Sequence, residues 1–315
     1  MAHILRHDTT KTYTYIILLA FTFLAFFINP AQQDEDHDYL ALAAVAKDFP
    51  QVVREWADYH LAIGFQKIYI FDSDNPNPAG MILQDLIDAG KVEYFNMPRV
   101  NPRTVPVMQV RVYNIAIQHL KKKHTWIGFW DIDEFLAIID PSITSLKDYL
   151  KEFEDYGGLV VNWRLMGNSG RREKPKSGVI ESYTKCVPTT FPDNALVKTI
   201  VHAPSVWVPT TDPHHFVYNN GRYAVTTNYQ RVDGPATLPS HVRHDKLMLQ
   251  HYAIKSEEEF RVKMKRGTGM GNFKDWAFYQ HINGAAMEDC PLVLDGCKRA
   301  RLKWCKIMQN GTATE

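Results

Sequence analysis

The stretch Trp126-Ile127-Gly128-Phe129-Trp130-Asp131-Ile132-Asp133-Glu134-Phe135 sets an apolar run directly ahead of an acidic triplet. A short apolar run suits a strand buried on both faces. Carboxylates just past such a strand leave the sheet at its carboxyl edge, where ligands bind in open α/β proteins. Hard divalent ions take oxygen ligands and commonly bridge to phosphate oxygens. One carboxylate of Asp131-Ile132-Asp133 can bind such an ion while the other orients it or a ribose. A pair of Asp residues two apart also arises by chance in acidic loops, so its weight depends on the flanking sequence.

Upstream, strand-like and helix-like segments alternate. Leu40 to Ala46 is a continuous apolar run. Val52, Val53, Trp56, Tyr59, His60 and Ile63 recur at helical spacing, and Gly64 supplies a C-terminal stop. Lys67 to Phe71 is the next strand, followed by the turn-rich Asp72-Ser73-Asp74-Asn75-Pro76. A helix over about 79–89, a strand over Val92 to Phe95 and a helix over about 105–122 lead into Trp126. This order predicts a doubly wound α/β domain with a mostly parallel, Rossmann-like sheet. Beyond Pro141 come a helix over about 145–154 and a strand from Leu159 to Trp163. Asn219-Asn220-Gly221 predicts a β-hairpin turn. A strand follows over Leu247 to Ile254, and a helix opens at Ser256-Glu257-Glu258-Glu259 with a capping box.

The N-terminus predicts a membrane anchor. No charge occurs between Lys11 and Asp34, and Tyr13 to Ile28 is almost wholly apolar, near the short end of what crosses a bilayer. Arg6 and Lys11 precede it and four acidic residues follow by Asp38, which places the body in the lumen. Asn29-Pro30-Ala31 is a poor signal-peptidase site, which favours an anchor over a cleaved signal. The expected division is a cytosolic tail at 1–11, a transmembrane signal-anchor at 12–28, a linker at 29–38 and one domain over 39–310. A sequon at Asn310-Gly311-Thr312 and an even count of cysteines (Cys186, Cys290, Cys297, Cys305) agree with an oxidising, luminal setting. A short anchor with a luminal body suggests a single-pass type II protein of the Golgi membrane. The net charge of +1 gives no global field favouring nucleic acid.

Other residues invite chemical roles. His251, at a strand end, can complete a metal's shell as a neutral imidazole; a lone His is also often structural. Asp72 and Asp74 sit where a nucleotide base or ribose can bind, or serve their own turn. Lys263, Lys265 and Arg266 can screen a diphosphate or form a solvated helix face. Gly267-Thr268-Gly269-Met270-Gly271 follows a helix rather than a strand, so it fails the context of a dinucleotide fingerprint. His214-His215 follows Pro213. No G-x-S-x-G, H-E-x-x-H or P-loop lysine motif is present.

Taken as ordered blocks, these residues resemble glycosyltransferase family 92, a branch of the GT-A superfamily related to family 2. The blocks are Glu55-Trp56-x-x-Tyr59-His60 with Gly64; Tyr69-Ile70-Phe71-Asp72; and Gln109, Tyr113-Asn114 and Trp126 ahead of Asp131-x-Asp133-Glu134-Phe135. Asn162-Trp163 with Gly167-Asn168-Ser169-Gly170, Lys198-Thr199-Ile200-Val201 and His214-His215 follow. His251-Tyr252-x-x-Lys255-Ser256-x-x-Glu259-Phe260-x-x-Lys263-x-x-Arg266-Gly267 closes the series. Lys47-Asp48-Phe49 stands where the family usually has Lys-Asn-Glu. The resemblance implies a GT-A fold and an inverting, Mn2+-dependent sugar transfer from a nucleotide-sugar, commonly UDP-galactose, to a glycan acceptor. In that scheme Asp131, Asp133 and His251 hold the ion, and Asp72, Asp131, Lys263 and Arg266 face the nucleotide. An inverting transfer also needs a carboxylate base, for which Asp193, Asp212 and Glu173 are the candidates. The alternatives are an inactive carbohydrate-binding relative and a metal-dependent nucleotidyl- or phosphotransferase.

Overall fold

The computed structural model describes residues 38–47, 50–73, 78–97, 108–266, 274–290 and 293. The proposed tail and anchor over 1–28, most of the linker, Asp74 and the Gly267–Gly271 loop lie outside the described residues. Among the described residues no helix is long and apolar enough to cross a membrane.

The first half of the domain follows the alternation expected from its sequence. Strands β1 (Leu40–Ala46), β2 (Lys67–Ser73), β3 (Val92–Met97) and β4 (Trp126–Phe129) are parallel and lie in the order β4-β1-β2-β3. Helix Pro50–Ala62, a 3-10 turn at Gly80–Leu83 continuing as helix Gln84–Asp88, and helix Met108–Leu120 connect them. Winding proceeds outward from β1 to β3 and then returns to the other side of β1. The strand order therefore reverses between β1 and β4. In open α/β sheets that reversal opens a crevice at the carboxyl ends of the strands, and Asp131 lies two residues past the end of β4. β1 is buried at six of its seven positions, as a strand covered on both faces must be.

The second half departs from a parallel sheet. β8 (Val197–His202) pairs antiparallel with both β4 and β6 (Gly158–Leu165). Further out, β11 (Ala224–Val225) and β12 (Arg231–Val232) extend the edge, giving the order β12-β11-β6-β8-β4-β1-β2-β3. β13 (Leu247–His251) is parallel to β6 and antiparallel to β5 (Glu134–Ile138). Two small ladders join β9 (Val206–Trp207) to β10 (Val217–Tyr218), and β7 (Lys185–Cys186) to β14 (Glu288–Asp289). The sheet is thus parallel around β1 and mixed beyond β4.

Two local expectations need correction. Asn220 and Gly221 do take positive φ, at 58° and 70°, but the flanking segments do not pair as a hairpin. β10 pairs with β9, and β11 pairs with β6 and β12. The Tyr218 ring occupies the space that a side chain at Gly157 or Gly158 would fill, and Arg222 donates to Tyr156 O at 3.2 Å. These contacts draw the two arms to different neighbours. The strand expected over 247–254 ends at His251, because Tyr252 N turns to Asp133 O at 2.8 Å. The capping box is formed as expected: Ser256 Oγ accepts from Glu259 N at 3.2 Å and donates to Glu259 Oε2 at 2.9 Å.

Helix Pro50–Ala62 packs on the strand after the acidic triplet. Trp56 Nε1 donates to Glu134 O at 2.9 Å, and the Tyr59 hydroxyl donates to Leu136 O at 2.7 Å. Its buried Glu55 accepts from Val179 N at 2.7 Å and Ile180 N at 3.1 Å. Burial outweighs those bonds and raises the Glu55 carboxyl from 4.5 to about 7. The folded chain therefore holds this proton more tightly than the unfolded chain between those values. Stability from this group is full below pH 4.5 and is lost as pH rises towards 7, by about 3 kcal/mol if the whole shift is realised. Denaturant unfolding at several pH values should show that downward slope in the wild type, and Glu55→Gln should flatten it.

Candidate active site

The acidic triplet is a turn held together by its third carboxylate. Asp131 N donates to Glu134 Oε2 at 2.8 Å, and Glu134 N donates to Asp131 O at 3.0 Å. Before the turn, Trp130 is fully buried, with its ring 5.6 Å from His60 and 5.4 Å from Phe65. A Cβ at Gly128 would come within 2.8 Å of Trp130 and 2.9 Å of Leu42, so only glycine lets Trp130 pack this closely. Beyond the turn, Phe135 and Leu136 enter the core. Asp131 and Asp133 are therefore fixed from both sides.

Each of these carboxylates meets a lysine. Lys198 Nζ lies 3.2 Å from Asp131 Oδ2 and 3.9 Å from Glu134 Oε2. The Asp131 carboxylate also accepts from Gln109 Nε2, carried by helix Met108–Leu120. Lys263 Nζ donates to Asp133 Oδ2 and to Ala253 O, both at 2.8 Å. Burial alone would strip the proton from Lys198, yet Asp131 and Glu134 hold its pKa above the ordinary value. Asp133 is also buried, but Lys263, His251 and Lys255 hold it well below the carboxylate range. Glu134 goes the other way: burial pushes it well above that range, and Lys198 offsets only part of the rise.

His251 arrives through strand register. β13 places it opposite Glu134 on one side and Leu165 on the other. Its Nε2 lies 3.7 Å from Asp133 Oδ1 and its Nδ1 lies 3.9 Å from Glu134 Oε1. Among the described residues neither Nδ1 nor Glu134 Oε1 has a hydrogen-bond partner. Burial lowers His251 to about 4, so the imidazole is neutral at physiological pH and free to ligate. Trp163 packs over it with ring centroids 4.3 Å apart, and His214 lies 5.3 Å from the same indole.

An imidazole nitrogen and a carboxylate oxygen that face each other at 3.7 Å without a hydrogen bond form a donor pair for a divalent first-row metal ion. Asp131 is committed to Lys198 and Gln109. Among the described residues no three His, Cys, Asp or Glu side chains converge as a metal cage. The donor chemistry of Asp133 and His251 fits an ion that completes its shell with substrate phosphates, as ions in phosphate-binding sites commonly do.

The remaining candidates separate. Asp72, at the end of β2, accepts from Ala79 N at 2.9 Å and from the Tyr94 hydroxyl at 2.6 Å. It serves its turn, although Oδ1 is buried without a partner among the described residues. Asp212 accepts from His214 N at 2.7 Å in a loop held by Asn114, whose side chain pairs with both Thr210 N and Thr210 O. Asp193 pairs with His281 at 3.2 Å on a half-open surface, and Glu173 is exposed. Arg266 ends helix Glu257–Arg266, but its side chain lies outside the described residues. Lys198, Glu134 and Trp163 drew no individual role from sequence. The available signal was a lysine and a glutamate inside otherwise apolar strand segments, Val197-Lys198-Thr199-Ile200-Val201 and Glu134-Phe135-Leu136-Ala137.

The strand order places the chain among open α/β proteins with a Rossmann-like sheet, and the acidic turn lies at the sheet's switch point. The chain belongs to glycosyltransferase family 92, whose family description matches residues 42–280. It is 26% identical to a glycosyltransferase family 92 protein of Ricinus communis over 160 residues, 50% of this chain and 28% of that one. Against one from Oryza sativa subsp. japonica it is 24% identical over 248 residues, 77% of this chain and 38% of that protein. With one from Arabidopsis thaliana it shares 25% identity over 141 residues, 42% of this chain and 24% of the relative. The match thus spans well under half the length of these relatives.

Lys198→Met should leave Glu134 and Asp131 without their buried cation and cost about 3–5 kcal/mol in denaturant unfolding.

Proposed function

We propose that the chain transfers a sugar, galactose, from a UDP-linked donor to a glycan acceptor with inversion, using a divalent ion. The observation that supports this most is the meeting of Asp133 and neutral His251 beside Lys263, at the sheet's switch point. When bound there, Mn2+ would offset charge developing on the departing phosphate oxygen. Asp133 and His251 would hold it, and Asp131, kept in place by Lys198 and Gln109, would orient the donor. Lys263 sits close enough to Asp133 to screen a diphosphate, and Asp72 Oδ1 offers an acceptor to the nucleotide. Of the three base candidates, Asp212 connects to the site through packed rings, by way of His214, Trp163 and His251. Burial raises its pKa, but contacts with His215 and the His214 amide bring it below the usual carboxylate value, so it is ionised, though a weaker base than a carboxylate poised near neutral pH.

Asp133→Ala should lower UDP release from UDP-galactose by about 100-fold, with the circular dichroism of the folded chain retained although loss of the buried pair with Lys263 lowers the unfolding midpoint. Wild-type turnover by that variant in the presence of chelator would refute the metal scheme. Pyrophosphate in place of UDP would support a nucleotidyltransferase, and glycan binding with no turnover would indicate an inactive carbohydrate-binding relative.

A further inference from the structure

Away from the acidic turn, two buried thiols meet where the segment after helix Trp276–Ala285 returns to the sheet. Cys186 ends β7, and β14 pairs with it so that Glu288 faces Cys186. Cys290 continues the ladder, its amide donating to Thr184 O at 2.6 Å. Residues two apart on a strand share a face, so Cys290 and Cys186 are diagonal neighbours on one side of this ladder. Cys186 is 0% exposed and Cys290 6%, and the two thiols are within hydrogen-bonding contact.

The adjoining strands locate the sulfurs independently. Arg164 on β6 and Gln250 on β13 are register partners. Arg164 Nε donates to Cys186 Sγ at 3.3 Å, and Gln250 Nε2 donates to Cys290 Sγ at 3.4 Å. Two side chains that stand beside each other in the sheet therefore each hold one sulfur. Gln250 also donates to Cys290 O at 2.8 Å and accepts from Val293 N at 3.0 Å, so the backbone around Cys290 is fixed as well.

We propose that Cys186 and Cys290 form a disulfide in the mature protein. The two thiols give up two protons and two electrons as the S–S bond forms, and a disulfide oxidant, small-molecule or protein, is reduced to two thiols. The bridge fastens the segment after helix Trp276–Ala285 to β7, beside the strand that carries Gln250 and His251. It closes a loop of roughly 100 residues, a span over which a cross-link restricts the unfolded chain strongly. A persistent bond of this kind belongs to an oxidising compartment. The proposal is independent of the sugar-transfer reading.

The test uses the full chain expressed through a secretory route and purified without reductant. It is alkylated in denaturant and digested, and its peptides are weighed before and after reduction. The expected result is a linked pair containing Cys186 and Cys290 that separates on reduction. Reductant should also lower the wild-type melting temperature by about 10 °C, and should do so far less in Cys186→Ser/Cys290→Ser. Alkylation of both residues without reduction would overturn the proposal, as would a link from Cys290 to Cys297 or Cys305. The peptide result needs only the wild-type chain, so it stands even if the double variant fails to fold.

Discussion

Glu134 is a carboxylate with no exposure to solvent, one residue beyond Asp133. A charge in that position is costly unless it is paired and hydrogen-bonded. One of its oxygens accepts from Asp131 N, closing the turn that displays Asp131 and Asp133. Lys198 on β8 faces the same oxygen, and His251 on β13 faces the other. Three strands from distant parts of the sequence therefore converge on one side chain. The antiparallel insertion of β8 and the mixed pairing of β13 make that convergence possible, and a wholly parallel sheet would not deliver both residues to this point.

The same arrangement sets the charge of the site. Two lysines stand against the half-buried Asp131 and the buried Asp133, so the acidic turn is compensated before any ligand arrives. A donor that brings a divalent cation together with a diphosphate adds charge of both signs, which such a balanced site can absorb by exchanging partners. Lys263 is the more accessible of the two cations: it sits at 18% side-chain exposure, against 1% for Lys198. Lys198 lies inside the scaffold, and Lys263 lies nearer its surface.

Much of this could be seen in the sequence, and the parts that could not have physical reasons. β1 to β4 and their helices follow from hydrophobic runs, a glycine stop and turn residues, all local signals. The Ser256 capping box was legible for the same reason. Strand direction past β4 was not, because an apolar strand such as Val197–His202 has the same pattern in either orientation. Asn219-Asn220-Gly221 gave the turn correctly, but pairing of its arms is decided by distant contacts of Tyr218 and Arg222. At the site, Asp131 and Asp133 stood out by spacing, and His251 by its place in a strand and the family's ordered blocks. Lys198 and Trp163 fall in the family's ordered blocks, but what they contact depends on three-dimensional register and has no local signal. Glu55, read as part of a helical block, proved to be a buried acceptor for the amides of Val179 and Ile180.

The most direct measurement is a crystal structure of the chain grown with UDP and Mn2+, with anomalous scattering recorded at the manganese edge. The account predicts a single strong peak at coordination distance from an Asp133 oxygen and His251 Nε2, with the diphosphate completing the shell. UDP bound with no manganese peak at these two residues, or a peak at another carboxylate cluster, would contradict it.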